Sequence, residues 1–292
     1  MNKTNPELLA AYWTLAGDVY PGAPTEVSSF SLQERAAAAS KAGYTGMGIV
    51  HADLMANAAK MGFPGIKAVL ADNGIKHVEV EFLSDWFVDP ADPRRKVSDQ
   101  VRRELFEAAA ALGARNFKIS PALFEETPPD VPLLQHEFAR LCEEARQVGT
   151  DIVMEMMPFT NVKTIDTAMA IIAGADQSNG GLLLDIWHLE RGGMHCSEIS
   201  KIPARFLKAI ELDDANKEVV GTLFEDTRFS RQLCGEGSFD LAGFIKAVLA
   251  AGFNAPYYGV EIISETFRKL PLEVMARTSY ESTMRQFKNL SI

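Results

Sequence analysis

The chain has 292 residues, 47 % hydrophobic and 23 % charged, and its 29 Lys and Arg against 39 Asp and Glu leave a net charge of −10. That balance excludes a disordered, collagenous or coiled-coil protein and argues against nucleic acid as the main partner, which calls for a basic face. Three cysteines without a CxxC spacing, Cys142, Cys196 and Cys234, exclude a disulfide framework or structural zinc site; with no secretion signal and no apolar run of about 18 residues, neither a membrane partner nor a membrane span is expected, and a cytoplasmic protein is.

Two patterns alternate along the chain: short apolar runs rich in β-branched residues, and longer amphipathic segments that end near Gly. The first strand is predicted at Tyr12–Ala16, followed by a helix over Leu32–Ala42 with Ser31 as N-cap, Glu34 completing a capping box and Gly43 as the stop. A strand at Gly46–Val50 precedes a helical stretch at Ile66–Asn73, and a strand at His77–Phe82 precedes a helix at Val97–Leu112. Strand Asn116–Ser120 leads through a Pro-rich loop, Thr127–Pro132, to helix Leu133–Val148. Strand Asp151–Met156 is followed by helix Ile165–Ala173, and strand Gly181–Asp185 by a weaker helix at Ser197–Lys201. Strand Phe206–Leu212 runs into a long loop, Ala215–Phe239, and then helix Leu241–Ala251; strand Tyr258–Ile263 and helix Leu272–Phe287 close the chain.

Eight strands alternating with helices imply parallel strands joined by right-handed crossovers, and eight units averaging roughly 36 residues fit an α/β fold of one closed (β/α)8 TIM barrel, a single domain over 1–292. The alternative on pattern alone is an open doubly wound sheet. No GxGxxG follows the first strand, which counts against its dinucleotide-binding form.

In such a barrel the active site lies at the C-terminal ends of the strands. Four carboxylates stand late in successive strands: Glu155 in IVMEMMPF, Asp185 in GLLLDIWH, Glu211 in LKAIELDD and Glu261 in YGVEIISE. Any one alone is as well explained by a rim salt bridge. Four together would repel in a low-dielectric pocket unless a cation neutralises them or some pKa values rise. A divalent metal is the simpler solution, and all-oxygen ligands favour Mg²⁺ or Mn²⁺ over Zn²⁺. The position of Glu211 is the least fixed, because Asp213 and Asp214 follow it and a shift in register would exchange their roles.

The segments SLQERAAAASKAGYTGMGI, LLLDIWHLERGG, RQLCGEGSFDLAGFIKAVLAAGF and YYGVEIISE together resemble the xylose-isomerase-like sugar phosphate isomerase/epimerase superfamily, over nearly the whole chain. The resemblance implies metal ligands at Glu155, Asp185 and Glu261, with Glu155 and Glu261 also acting as acid and base. It places His188, from the Asp-x-x-His pattern, and Arg231, before Gly-Glu-Gly, near the substrate. The fourth family ligand is normally a His on strand seven; Glu211 stands there instead, which makes the shell more negative or leaves the metal weak or absent.

The chemistry follows from the residues as well. A metal holding a carbonyl and a neighbouring hydroxyl makes the adjacent C–H acidic, a carboxylate takes that proton, and the resulting enediolate is reprotonated elsewhere to give isomerisation or epimerisation. Loss of a β-substituent from the same enediolate gives dehydration or lyase chemistry instead. A metal-dependent isomerase or epimerase acting on a carbohydrate-like keto-polyol is therefore the leading expectation. A dehydratase or lyase, a non-catalytic ligand-binding subunit and, remotely, a nuclease are the alternatives, and a homo-oligomer is open.

Other residues have two explanations each. Trp86 stacks on a substrate ring or is packed indole, with Glu81 and Asp85 beside it as pocket wall or rim ion pairs. Lys118 is a substrate-side cation or the partner of Glu81 or Glu155. His51 faces the pocket or the rim, His77 is structural on the opposite face, His136 and His195 are surface residues, and Cys234 is a redox thiol or, as the favoured reading, a small packed side chain. The apolar Met156, Met157, Phe159 and Trp187 beside the expected ligands suggest a ring-bearing substrate, such as a glycoside.

Overall fold

Eight strands form a closed, all-parallel barrel in the computed structural model, which describes residues 6–288 and 290. They are β1 (Glu7–Ala10), β2 (Gly46–Val50), β3 (His77–Leu83), β4 (Asn116–Ile119), β5 (Asp151–Glu155), β6 (Gly180–Asp185), β7 (Leu207–Leu212) and β8 (Tyr257–Val260). Each strand pairs with its neighbours in sequence, and β8 closes onto β1. The expected single barrel is thus the observed fold; residues 1–5, 289, 291 and 292 of the single-domain reading lie outside the described residues. No helix among the described residues is long and apolar enough to cross a membrane.

The helices between strands start and stop where their chemistry dictates. Ser31 and Glu34 form the expected capping box, and Gly43 ends Leu32–Ala42 in the left-handed region at φ 116°, where a Cβ is disfavoured. The Pro-rich loop ends earlier than expected: Asp130 caps a helix running Val131–Val148, with Pro132 in its first turn, where no backbone N–H is needed.

Three expectations are corrected. The first strand is Glu7–Ala10, while Tyr12–Leu15 is a single helical turn. The run from Leu8 to Ala16 is buried throughout and apolar but for Thr14, so periodicity alone does not mark the strand's end; the Thr14 hydroxyl, which donates to Val260 O and accepts from Ile262 N, does. Helix also begins well before Ile66, at His51, with a break at Gly62 (φ 66°). The loop after β7 is structured: Asp214–Ala215 pairs antiparallel with Arg231–Gln232, and a helix spans Leu223–Phe229 behind a Thr222–Glu225 capping box.

The strands' two-residue alternation divides their side chains between barrel interior and helix layer. Met154, Leu184, Ile210 and Leu212 belong to the main core under the helices, whereas Val153, Leu183 and Ala209 pack together as a separate cluster. Two residues further along the same strands come Glu155, Asp185 and Glu211. The apolar trio is therefore the layer on which the carboxylates stand.

Candidate active site

Register brings two of the carboxylates level, with Glu155 two residues below them and Glu261 two residues above. Asp185 pairs with Glu211 and Glu211 with Gly259 across β6, β7 and β8. Gly259 is needed here, because a Cβ at that position would stand 2.7 Å from Glu211 Cγ. Glu211 and Asp213 share a face by the two-residue alternation, and the register pairs Glu211 with Asp185. Asp213 lies one step higher, and Asp214 turns out of the barrel to accept from the backbone N–H groups of Ala215, Gly235 and Phe239. Asp214 thereby pins the loop that carries Arg231.

Glu155, Asp185, Glu211 and Glu261 each offer an oxygen within 4.8 Å of the others, and all four are buried. Glu155 and Asp185 form a second such group with His188. Two permanent cations stand among these acids. Lys118, fully buried, bonds Glu211 and lies 3.5 Å from both Glu79 and Glu81. Arg231 bonds Asp213 and reaches Asp185 at 2.7 Å and Glu261 at 3.1 Å. Its other nitrogens donate to Thr227 Oγ1, and its Cζ lies 5.4 Å from the centre of the Trp187 ring. His188 Nε2 lies 3.1 Å from Glu155 Oε1.

Seven carboxylates, Glu79, Glu81, Glu155, Asp185, Glu211, Asp213 and Glu261, thus face two fixed positive charges. Burial drives Glu261 up to about 8 against the pull of Arg231 and Lys118. Burial and the neighbouring Glu261 push Glu211 well above the carboxylate range despite Lys118, and burial and Asp185 do the same to Asp213 despite Arg231. Asp185 is the exception: burial would raise it, but Arg231, His188 and the Trp187 N–H together hold it low. Burial also opposes the charge on Lys118, but Glu211, Glu81 and Glu79 more than offset it.

The donor set fits a divalent cation. Glu211 Oε2 has no hydrogen-bond partner among the described residues while Oε1 is held by Lys118, so one oxygen is oriented and the other is free. Ligand oxygens alone suit hard ions, and His188 adds a nitrogen that zinc also accepts. A bound cation would pull these raised carboxyls back towards the ionised form.

A cavity of about 600 Å³ opens above this floor, which Glu81, Glu155, His188, Arg231 and Glu261 provide. Of the expected site residues, Glu155, Asp185, Glu211, Glu261, His188, Arg231 and Lys118 come together, Lys118 at the deepest level. Trp86 does not join them. It is 1 % exposed, packs on Phe87 and Phe138, and donates its indole N–H to Ser120 O. Lys118 takes Glu81 rather than Glu155 among its alternatives, with Glu211 closer. Asp85 pairs with Arg94. His51 lines the cavity mouth beside Glu104, and His77 sits at the other end of the barrel on Glu7. His136 and His195 are exposed. Cys234 is buried against Thr283, and burial pushes its thiol far up. The sequence reading missed Glu79 and Thr227. Glu79 carried the signal of a charge inside an apolar strand; Thr227, in a segment read as loop, carried none.

Residues 36–289 match the family model for xylose isomerase-like TIM barrels. The chain is 26 % identical over 250 residues to a 3-dehydroshikimate dehydratase of Pseudomonas aeruginosa, a match covering 85 % of this chain and 38 % of that protein. It is 24 % identical over 190 residues to an inosose isomerase of Halalkalibacterium halodurans, covering 62 % of this chain and 64 % of the relative. The chain therefore spans about two fifths of the length of the dehydratase it matches. Among solved structures, the IOLI protein with a bound zinc atom superposes with a TM-score of 0.82 at 19 % identity, covering 98 % of this chain and 100 % of that one.

Proposed function

The chain belongs to the xylose isomerase-like TIM barrel family, and from that premise we propose that it is an enzyme that moves a proton next to the carbonyl of a carbohydrate-like keto-polyol, as an isomerase or epimerase. The observation that carries this reading is the ring of Glu155, Asp185, Glu211 and Glu261 within mutual reach, of which Glu155 and Glu261 line the cavity floor. These four would hold a divalent cation, Mn²⁺ or Mg²⁺ on ligand chemistry. When bound, such an ion supplies Lewis-acid polarisation of a carbonyl.

The chain's own residues divide the remaining work. Glu155 and Glu261 come from β5 and from the end of β8, so they approach a bound substrate from different sides. One takes the proton from carbon and the other returns one. His188 is held against Glu155, and its Nδ1 has no partner among the described residues. It is placed to bond a substrate hydroxyl. Arg231 is fixed by Asp185, Asp213 and Thr227, so its charge reaches the substrate oxygen without a side chain having to be ordered at the moment of reaction. Trp187 beneath it keeps water from the guanidinium face.

A second reading, a dehydratase, is favoured by the match to 3-dehydroshikimate dehydratase over 85 % of the chain. There the same proton abstraction is followed by departure of a hydroxyl, to which His188 donates. Incubation of Mn²⁺-loaded protein in D₂O with inosose or 3-dehydroshikimate separates the two. Deuterium entering next to the carbonyl, with an isomeric product, supports the first reading; release of water with a new double bond supports the second. Both readings fail if neither exchange nor product arises from any keto-polyol supplied, or if Glu155→Gln and Glu261→Gln leave turnover within about twofold, since a positioned acid or base contributes about 10²–10⁴.

A further inference from the structure

The floor of the cavity is ionic, but one side of its outer half is aromatic. Phe124 from the segment after β4, Phe159 from the segment after β5 and Phe224 from the helix after β7 form one wall, with ring centroids 4.7–6.0 Å apart. Phe159 joins this wall to the floor, its ring 5.8 Å from that of His188. Three parts of the chain distant in sequence thus deliver aromatic rings to one side of the same opening.

Packing alone does not account for the wall. Phe124 is 59 % exposed and has φ 57°, a backbone region that bulky residues rarely adopt. A ring needed only to seal the barrel would be covered. Several polar atoms near the mouth already have partners within the protein. Glu26 accepts from Gly22 N, His51 pairs with Glu104, and Arg228 donates to the backbone of Phe224 and Pro21 while its guanidinium lies 4.1 Å from the Phe224 ring centre. Sugar hydroxyls set against the phenylalanine wall would lose water and gain no equivalent bond from the rings, which is costly. A flat apolar group would gain ring contacts.

We propose that the substrate has two parts: a polyol ring seated on the carboxylate floor, and an aromatic substituent resting on the Phe124–Phe159–Phe224 wall. The polyol half rests on the reading given under Proposed function, whereas the aromatic half rests on the wall alone. The chemical class is an aryl-substituted carbohydrate, such as an aryl glycoside or its keto form, rather than a free sugar. A cavity of about 600 Å³ has room for both parts in one ligand.

The test is calorimetric titration, with Mn²⁺ present, of phenyl β-D-glucopyranoside, methyl β-D-glucopyranoside and 4-nitrophenol. The phenyl glycoside is expected to bind at least about tenfold more tightly than the methyl glycoside. That gap is expected to close in Phe224→Ala and to shrink in Phe159→Leu, the second variant guarding against a folding defect in the first. Equal affinity for the two glycosides overturns the aromatic half and leaves the polyol reading standing. Binding of 4-nitrophenol that Phe224→Ala abolishes, with neither glycoside bound, supports the wall and overturns the polyol reading. A gap that persists in both variants, or no binding of any probe, overturns the proposal.

Discussion

At the scale of single residues, the site is a problem of buried charge. Lys118 and Arg231 each answer several carboxylates, so each is worth more than one ion pair. Lys118→Met would leave Glu79, Glu81 and Glu211 without a cation, and the expected loss is about 3–5 kcal/mol at neutral pH by urea denaturation. The loss should shrink towards pH 5, because burial already raises the Glu81 and Glu211 carboxyls and they take up protons there. Glu261 predicts a second pH effect. Its carboxyl is raised from 4.5 to about 8 by burial, so in metal-free protein the folded state holds a proton that the unfolded state gives up. Stability from this group is complete below about 4.5 and lost as pH rises through about 8. Melting temperatures of metal-free protein should fall across that window, and Glu261→Gln should flatten the fall. A flat wild-type curve would show that Glu261 is ionised in the fold without metal.

Elements set the positions of these charges. β5, β6 and β7 each place an apolar residue two positions before a carboxylate, so Val153, Leu183 and Ala209 support Glu155, Asp185 and Glu211 from below. β8 contributes a gap at Gly259 into which Glu211 extends. Gly259→Ala would set a Cβ against Glu211 Cγ at 2.7 Å. It should cost about 1–3 kcal/mol by overpacking and weaken Mn²⁺ binding measured by calorimetry, since Glu211 must move. Unchanged metal affinity in that variant would exclude Glu211 as a ligand. The ribbon of Asp214–Ala215 with Arg231–Gln232 works in the same way for Arg231. The family resemblance named Arg231 before Gly-Glu-Gly, yet the ribbon and the helix Leu223–Phe229 lay inside a segment read as loop. Both are short and are stabilised by contacts to distant parts of the chain, which local periodicity does not record.

For the whole molecule, the barrel ties its stability to the site, because the four candidate ligands come from four consecutive strands that close the structure. An ion bound by all four is a cross-link of β5 to β8. Saturating Mn²⁺ or Mg²⁺ should therefore raise the melting temperature, by the equivalent of about 2.7 kcal/mol at a free concentration about 100 times Kd. Asp185→Ala should abolish the rise, and elemental analysis after dialysis should show about one ion per chain lost with it. An equal rise in that variant would place the ion elsewhere. The cavity mouth is a whole-molecule property in the same sense, since its aromatic wall is assembled from three separate βα connections.

By itself the sequence determined the eightfold alternation, the capped helices such as Leu32–Ala42, and the four strand-end acids, and its family resemblance pointed to His188 and Arg231. Each of these is written in local pattern or in a short motif. Tertiary structure decided what local pattern cannot hold. It ended β1 at Ala10 through the Thr14 bonds to the far end of the chain, assigned Glu211 rather than Asp213 to the level of Asp185 through strand register, and gave Lys118 to Glu211. It sent Trp86 into the core, where the indole N–H finds Ser120 O, and gathered Phe124, Phe159 and Phe224 at one opening. The physical reason is common to all of them: a residue's own neighbours fix its backbone preference, but which oppositely charged or apolar group it meets depends on how the barrel closes.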